Sequence, residues 1–142
     1  FIVDYLMLNT DRHLKNFGII RNVETLEWER TTPIFDTGQS MECDKYTNEI
    51  NFSKGIGKFF SNTSKDYEDI LKTLGKDIVN IDIHALDGLS GEYRTLLLKY
   101  KDKMDINDKR IEKLVEGLNQ RINKLETNIE KIQSDNFDDK DI

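Results

Sequence analysis

The sequence predicts an α+β domain that is mainly α-helical, with one short β-hairpin early in the chain. Three observations carry that prediction. Residues 67–74, 93–104 and 111–132 hold apolar side chains at spacings of three and four, as one-sided helices do. Phe17-Gly18-Ile19-Ile20-Arg21 and Leu26-Glu27-Trp28-Glu29-Arg30 flank the polar turn Asn22-Val23-Glu24-Thr25, a hairpin pattern. The chain of 142 residues, 37% hydrophobic and 34% charged, is long enough for one core dressed with solvated helices.

Taken in order, residues 1–8 form an apolar run expected to finish a buried helix. The run opens directly at Phe1, which suggests a chain cut from a longer protein. The polar residues 9–16 read as a loop, because their short hydrogen-bonding side chains compete with helix. After the hairpin, Pro33 sits where a strand tolerates its missing donor, just ahead of the apolar pair Ile34-Phe35 that delivers Asp36.

Texture changes near residues 61–64, and a helical subdomain is expected over 62–133. Thr63 or Ser64 caps a helix with Tyr67, Ile70, Leu71 and Leu74 on one side, and Gly75 stops it. A second helix, capped by Ser90, is expected to bury Tyr93, Leu96, Leu97, Tyr100 and Met104. The third begins near residues 105–107 and carries Ile111, Leu114, Val115, Leu118, Ile122, Leu125, Ile129 and Ile132. Such a seam serves a coiled coil or, more commonly, packing on its own domain, and Gly117 weakens the coiled-coil case. The domain is placed at 1–133, and the aperiodic residues 134–142 are expected to form a disordered tail.

A formal net charge of −6 argues against a general nucleic-acid or anionic-membrane surface, since both need a positive field. No apolar run approaches the roughly 20 residues of a membrane span. Cys43 is the single cysteine, so no intrachain disulfide is possible and a reducing cytoplasm is the expected compartment.

Chemistry concentrates in Asn9-Thr10-Asp11-Arg12-His13-Leu14-Lys15-Asn16-Phe17-Gly18 and in Pro33-Ile34-Phe35-Asp36-Thr37-Gly38. In kinase-type sites a loop Asp accepts the substrate hydroxyl, and an Asn five positions on joins a downstream Asp in holding magnesium against nucleotide phosphates. Asp11, Asn16 and Asp36 stand in that order. Magnesium takes one or two carboxylates together with phosphate oxygens and water, so Asp36 supplies the ligand that Asn16 alone lacks. An ordinary Asx-stabilised turn remains the plainer reading of the loop. His13 reads either as a phosphate contact or as a hydrogen-bonder pinning backbone carbonyls, and Lys15 either as a phosphate contact or as a solvated charge. Arg12 pairs with an acid or holds the loop. Asp36-Thr37-Gly38 as an aspartic-protease motif lacks a second such Asp. A zinc site at His13 lacks ligands, since only His84 and Cys43 remain. Gly55-Ile56-Gly57-Lys58 departs from the full P-loop pattern.

These two segments resemble the catalytic core of HipA-like serine/threonine kinases, over about residues 1–40. The resemblance implies a protein-kinase-like C-lobe, with Asp11 as the catalytic Asp and Asn16 and Asp36 as the magnesium ligands. It implies ATP and Mg2+ as cofactors, a protein Ser/Thr hydroxyl as acceptor and an antitoxin-type protein partner, while His13 and Lys15 stand as candidate nucleotide contacts on their place in the loop alone. His13 stands where common protein kinases keep a Lys, and Thr37 follows Asp36 in place of Phe, departures that agree with an atypical kinase. Phosphatidylinositol kinases share an Asp-Arg-His-x-x-Asn loop, so a lipid acceptor is a rival, and a pseudokinase acting as an interaction module is another. The residues given hold no glycine-rich loop or strand lysine ahead of the Asp11 loop, and the isolated chain is expected to bind nucleotide weakly and turn over poorly.

Overall fold

Helix α1 (Ile2–Met7) closes at Leu8, which turns left-handed at φ 51° and lets the Asn9 N–H reach back to the Asp4 carbonyl at 2.9 Å. The computed structural model describes residues 1–58, 63–78 and 80–138, the side chains of 76 and 135–138 excepted. It is α+β, about half helical, with two small antiparallel sheets.

The hairpin is formed by β1 (Ile19–Arg21) and β2 (Trp28–Thr31). Ile19 stands opposite Thr31 and Ile20 opposite Arg30, and a bulge follows before Arg21 meets Trp28. The Asn22 side chain holds the turn by accepting from the N–H groups of Glu24 and Thr25 at 2.8 and 3.0 Å. Gly18 is required beside it, because a Cβ there would stand 2.7 Å from the Thr32 methyl.

The strand expected at Ile34-Phe35 is not formed. Residues 33–36 are irregular and Asp36 is left-handed at φ 55°. Pro33 has no N–H to continue a ladder, and the Phe35 carbonyl is taken by the Arg12 side chain. A second sheet not foreseen pairs β3 (Ile56–Gly57) with β4 (Lys65–Asp66). The expected boundary at 61–64 lies partly outside the described residues.

Helix α2 (Tyr67–Leu74) is capped by Asp66 rather than by Thr63 or Ser64, its carboxylate accepting from the Glu68 N–H at 2.8 Å, and it ends at Gly75 as expected. Helix α3 (Leu89–Met104) starts after Gly88 without a side-chain cap, so Ser90 falls inside the first turn. Of its expected buried stripe only Leu97 is buried, while Leu96, Tyr100 and Met104 are exposed, because α4 covers one edge of that stripe and leaves the other open.

Helix α4 (Asp108–Asp138) is capped by Asn107, which accepts from the Arg110 N–H at 2.9 Å. It continues past residue 133 to Asp138, and the rest of the expected tail, 139–142, lies outside the described residues. Its apolar face is spent within the chain: Ile111, Leu114, Leu118, Leu125 and Ile129 are buried. Tyr5, Tyr67, Ile70 and Leu71 form one core cluster with the C-terminal part of that face, and Leu8, Ile50, Phe52 and Leu97 form another with its first turns. Arg121 crosses from α4 to α1, lying 3.7 Å from the Tyr5 ring centre and donating to the Tyr5 carbonyl at 2.9 Å. Burial presses that guanidinium below its ordinary value, against the opposing pull of Tyr5 and Glu68. Among the described residues no helix is long and apolar enough to cross a membrane.

Candidate functional site

A buried ion pair organises the turn that follows α1. Asp4 and Arg12 are each 2% exposed, and the guanidinium meets the carboxylate in a fork, Nε to Oδ2 at 2.9 Å and Nη2 to Oδ1 at 2.8 Å. The same Oδ1 accepts from the Asn9 amide at 2.7 Å, and the Asn9 Oδ1 in turn accepts from the Asp11 N–H at 3.1 Å. The Tyr67 hydroxyl donates to the Asn9 carbonyl, and burial pushes that phenol well above its ordinary value. Asp11 thereby has a fixed backbone and an exposed side chain.

The remaining nitrogen of Arg12, Nη1, donates to two carbonyls, that of Asn16 at 3.0 Å and that of Phe35 at 2.8 Å. Two residues away, Thr10 donates through its N–H to the Gln39 carbonyl at 3.0 Å and through its hydroxyl to the same atom at 3.3 Å. These ties bracket both carboxylates. Asp11 lies between Thr10 and Arg12, while Asp36 lies between Phe35 and Gln39.

Asn16 is 5% exposed and ends a short 3-10 turn, Leu14–Asn16. Its Nδ2 donates to the Asp11 carbonyl at 3.2 Å, which leaves Oδ1 to accept. Asp36 is exposed, in a left-handed conformation with Gly38 two residues on. The candidates Asp11 and Asn16 are thus joined directly, and the segment carrying Asp36 is tied to both flanks of Asp11. His13 and Lys15 are placed differently. The His13 backbone forms a bridge with Lys58, and its Nδ1 is enclosed without a hydrogen-bond partner among the described residues. Lys15 is exposed, and no described hydrogen bond ties either side chain to residues 33–38.

The donor set suits a hard cation in type: two exposed carboxylates and an amide oxygen. Among the described residues no group of three or more His, Cys, Asp or Glu side chains is arranged to hold a metal.

Beside Asn16 opens a cleft of about 500 Å³, with walls that include Phe17, Ile19, Trp28, Pro33 and Ile34. The hairpin contributes Ile19, Trp28 and Thr31 to its lining. Asp4 and Arg12 form part of its lining, whereas Asp11 and Asp36 do not.

The segment after Asp36 is held by Glu42, whose carboxylate is buried. It accepts from the N–H groups of Asn51 at 2.7 Å and Phe52 at 3.2 Å and from the Lys45 ammonium at 2.5 Å. Burial alone would raise that carboxyl, but the Lys45 hydrogen bond and the two backbone donors outweigh it and hold it below its ordinary value. Arg110 adds a bond from α4 to the Lys45 carbonyl at 2.8 Å.

No family model, curated protein or solved structure matches this chain. Its chemistry therefore rests on its own residues. Asp4 and Glu42 escaped the reading of the sequence as site-building groups, and Asn9 stood in the motif without a role. Asp4 carried a usable signal, since a carboxylate inside an apolar helical run must find a partner once buried. Glu42 carried only the weak signal of Lys45 three residues on, its other partners being backbone donors that no pattern of side chains announces.

Proposed function

We propose that the chain supplies the catalytic and cation-holding portion of an ATP- and Mg2+-dependent kinase of the HipA-like kind, acting on a protein Ser/Thr hydroxyl. The observation that carries the reading is the pair of ties, Thr10 to Gln39 and Arg12 to Phe35, that hold the two candidate carboxylate segments side by side. Asp11, exposed and fixed at its backbone, orients the acceptor hydroxyl and takes its proton as the oxygen becomes a nucleophile. Asn16 Oδ1 and the Asp36 carboxylate would hold the magnesium ion, which supplies charge neutralisation at the transferring phosphoryl group. The apolar cleft beside Asn16 suits one face of a nucleobase. His13 and Lys15 keep the role of phosphate neighbours, Lys15 by its exposed charge.

The test is phosphate incorporation from labelled ATP by the full-length protein. Asp11→Asn should leave the melting temperature unchanged and lower the rate by a factor on the order of 10² to 10⁴. A variant as fast as the unsubstituted protein would remove Asp11 from the role. Replacing the acceptor protein by phosphatidylinositol vesicles separates a protein acceptor from a lipid one.

A further inference from the structure

We propose that Arg12, anchored by Asp4, is a positioning residue that sets the spacing of the Asn16 and Asp36 segments and thereby the affinity of the site for a divalent cation. This rests on the reading of the site given above.

The guanidinium carries five N–H donors in one rigid plane. Four are used, two on Asp4 and two on the carbonyls of Asn16 and Phe35. Asp4 belongs to α1, which is fastened to the core by the buried Tyr5 and Leu6. A bidentate fork fixes the guanidinium plane on that helix, and the plane dictates where Nη1 points. Two carbonyls converging on one nitrogen must then approach each other, one immediately before Asp36 and the other on Asn16 itself. Through Asn9, the same Asp4 oxygen also governs the Asp11 N–H. All three candidate residues are therefore registered by their backbones to a single buried carboxylate.

The pair is not a ligand itself, because every Asp4 oxygen is already engaged and an arginine has no acceptor. It acts one shell out. Outer partners of this kind change metal affinity by about 10- to 100-fold when removed. A lysine keeps the charge opposite Asp4, yet its ammonium on a single flexible stem has no planar fork with which to face a carboxylate and span two carbonyls as well. A merely structural salt bridge would show itself in stability alone, whereas a positioning residue shows itself in cation affinity at constant fold.

The experiment titrates Mn2+ into the 142-residue chain, followed by water-proton relaxation, with circular dichroism to report folding. The expected result is that the unsubstituted chain binds Mn2+, that Asp36→Ala abolishes binding with the fold retained, and that folded Arg12→Lys weakens binding by roughly tenfold or more. Asp4→Leu combined with Arg12→Met removes both charges together, leaves no lone buried ion and should weaken binding equally. Either folded variant binding Mn2+ as the unsubstituted chain does, while Asp36→Ala abolishes binding, overturns the positioning role and leaves the site reading standing. Absence of Mn2+ binding in the unsubstituted chain, or indifference to Asp36→Ala, overturns both. Should neither Arg12 variant fold, the unsubstituted chain decides: saturating Mg2+ should slow exchange of the Arg12 Nε–H, and an unchanged exchange rate overturns the proposal.

Discussion

Glu42 shows how one residue holds the segment downstream of Asp36. Its folded-state carboxyl lies below the ordinary glutamate value of 4.5, so its stabilising contribution is complete above that value and is lost as the pH falls through the lowered one. Glu42→Gln should cost on the order of 1–2 kcal/mol at pH 7 by removing charge-assisted bonds, and the difference from the unsubstituted chain should shrink toward zero as acid protonates the native carboxyl. Urea unfolding at pH 7 and below pH 4 measures it. A difference that stays constant across that interval would show that the charge contributes nothing. The same scale explains what could be read of the candidate site. Asp11, Asn16 and Asp36 were picked out by type and spacing, the order in which a phosphoryl-transfer site would use such groups. The bonds that bring them together did not, because most end on carbonyl oxygens, at Asn16, Phe35 and Gln39, which every residue carries.

Among the elements, α4 is positioned by a glycine. A Cβ built on Gly117 would stand 2.1 Å from Cδ2 of Phe52, a ring 3% exposed and enclosed in the core. Gly117→Ala should therefore destabilise by about 1–3 kcal/mol despite the better helix propensity of alanine. In a Phe52→Leu background, where the ring edge is gone, the added cost of Gly117→Ala should fall close to zero. A double-mutant cycle from denaturant melts gives the coupling, and additive costs would disprove the contact. Helix periodicity was legible because an amphipathic face repeats along the sequence. How much of the face a partner covers does not repeat, so the open edge of α3 at Leu96, Tyr100 and Met104 could not be anticipated. The pairs Ile56–Gly57 and Lys65–Asp66 were too short for alternation to register, and the Asp66 cap was hidden among neighbouring Thr63 and Ser64, which are equally good caps.

For the molecule as a whole, the question is whether its two apolar clusters melt as one. Leu125 is fully buried in the cluster around Tyr5 and Tyr67, and Ile111 is fully buried in the one around Leu8 and Phe52. Fourteen residues of α4 separate them, about 21 Å along the axis, so their side chains share no partner. The clusters are nonetheless bridged, since Met41 and Tyr93 pack against both and the helix backbone runs through both. Loss of either cluster strips α4 of half its buried face, and a helix held chiefly by tertiary packing does not survive that in isolation. Leu125→Ala and Ile111→Ala should each cost about 2–5 kcal/mol, and the double variant should cost close to their sum, with one calorimetric transition throughout. Two resolved transitions, with each substitution moving only its own, would mean that the clusters fold separately. The Asp4–Arg12 network would then depend more on the first cluster, to which α1 contributes Tyr5 and Leu6, than on the second, which holds only Leu8 at the end of that helix, and Leu125→Ala would loosen the candidate site more than Ile111→Ala.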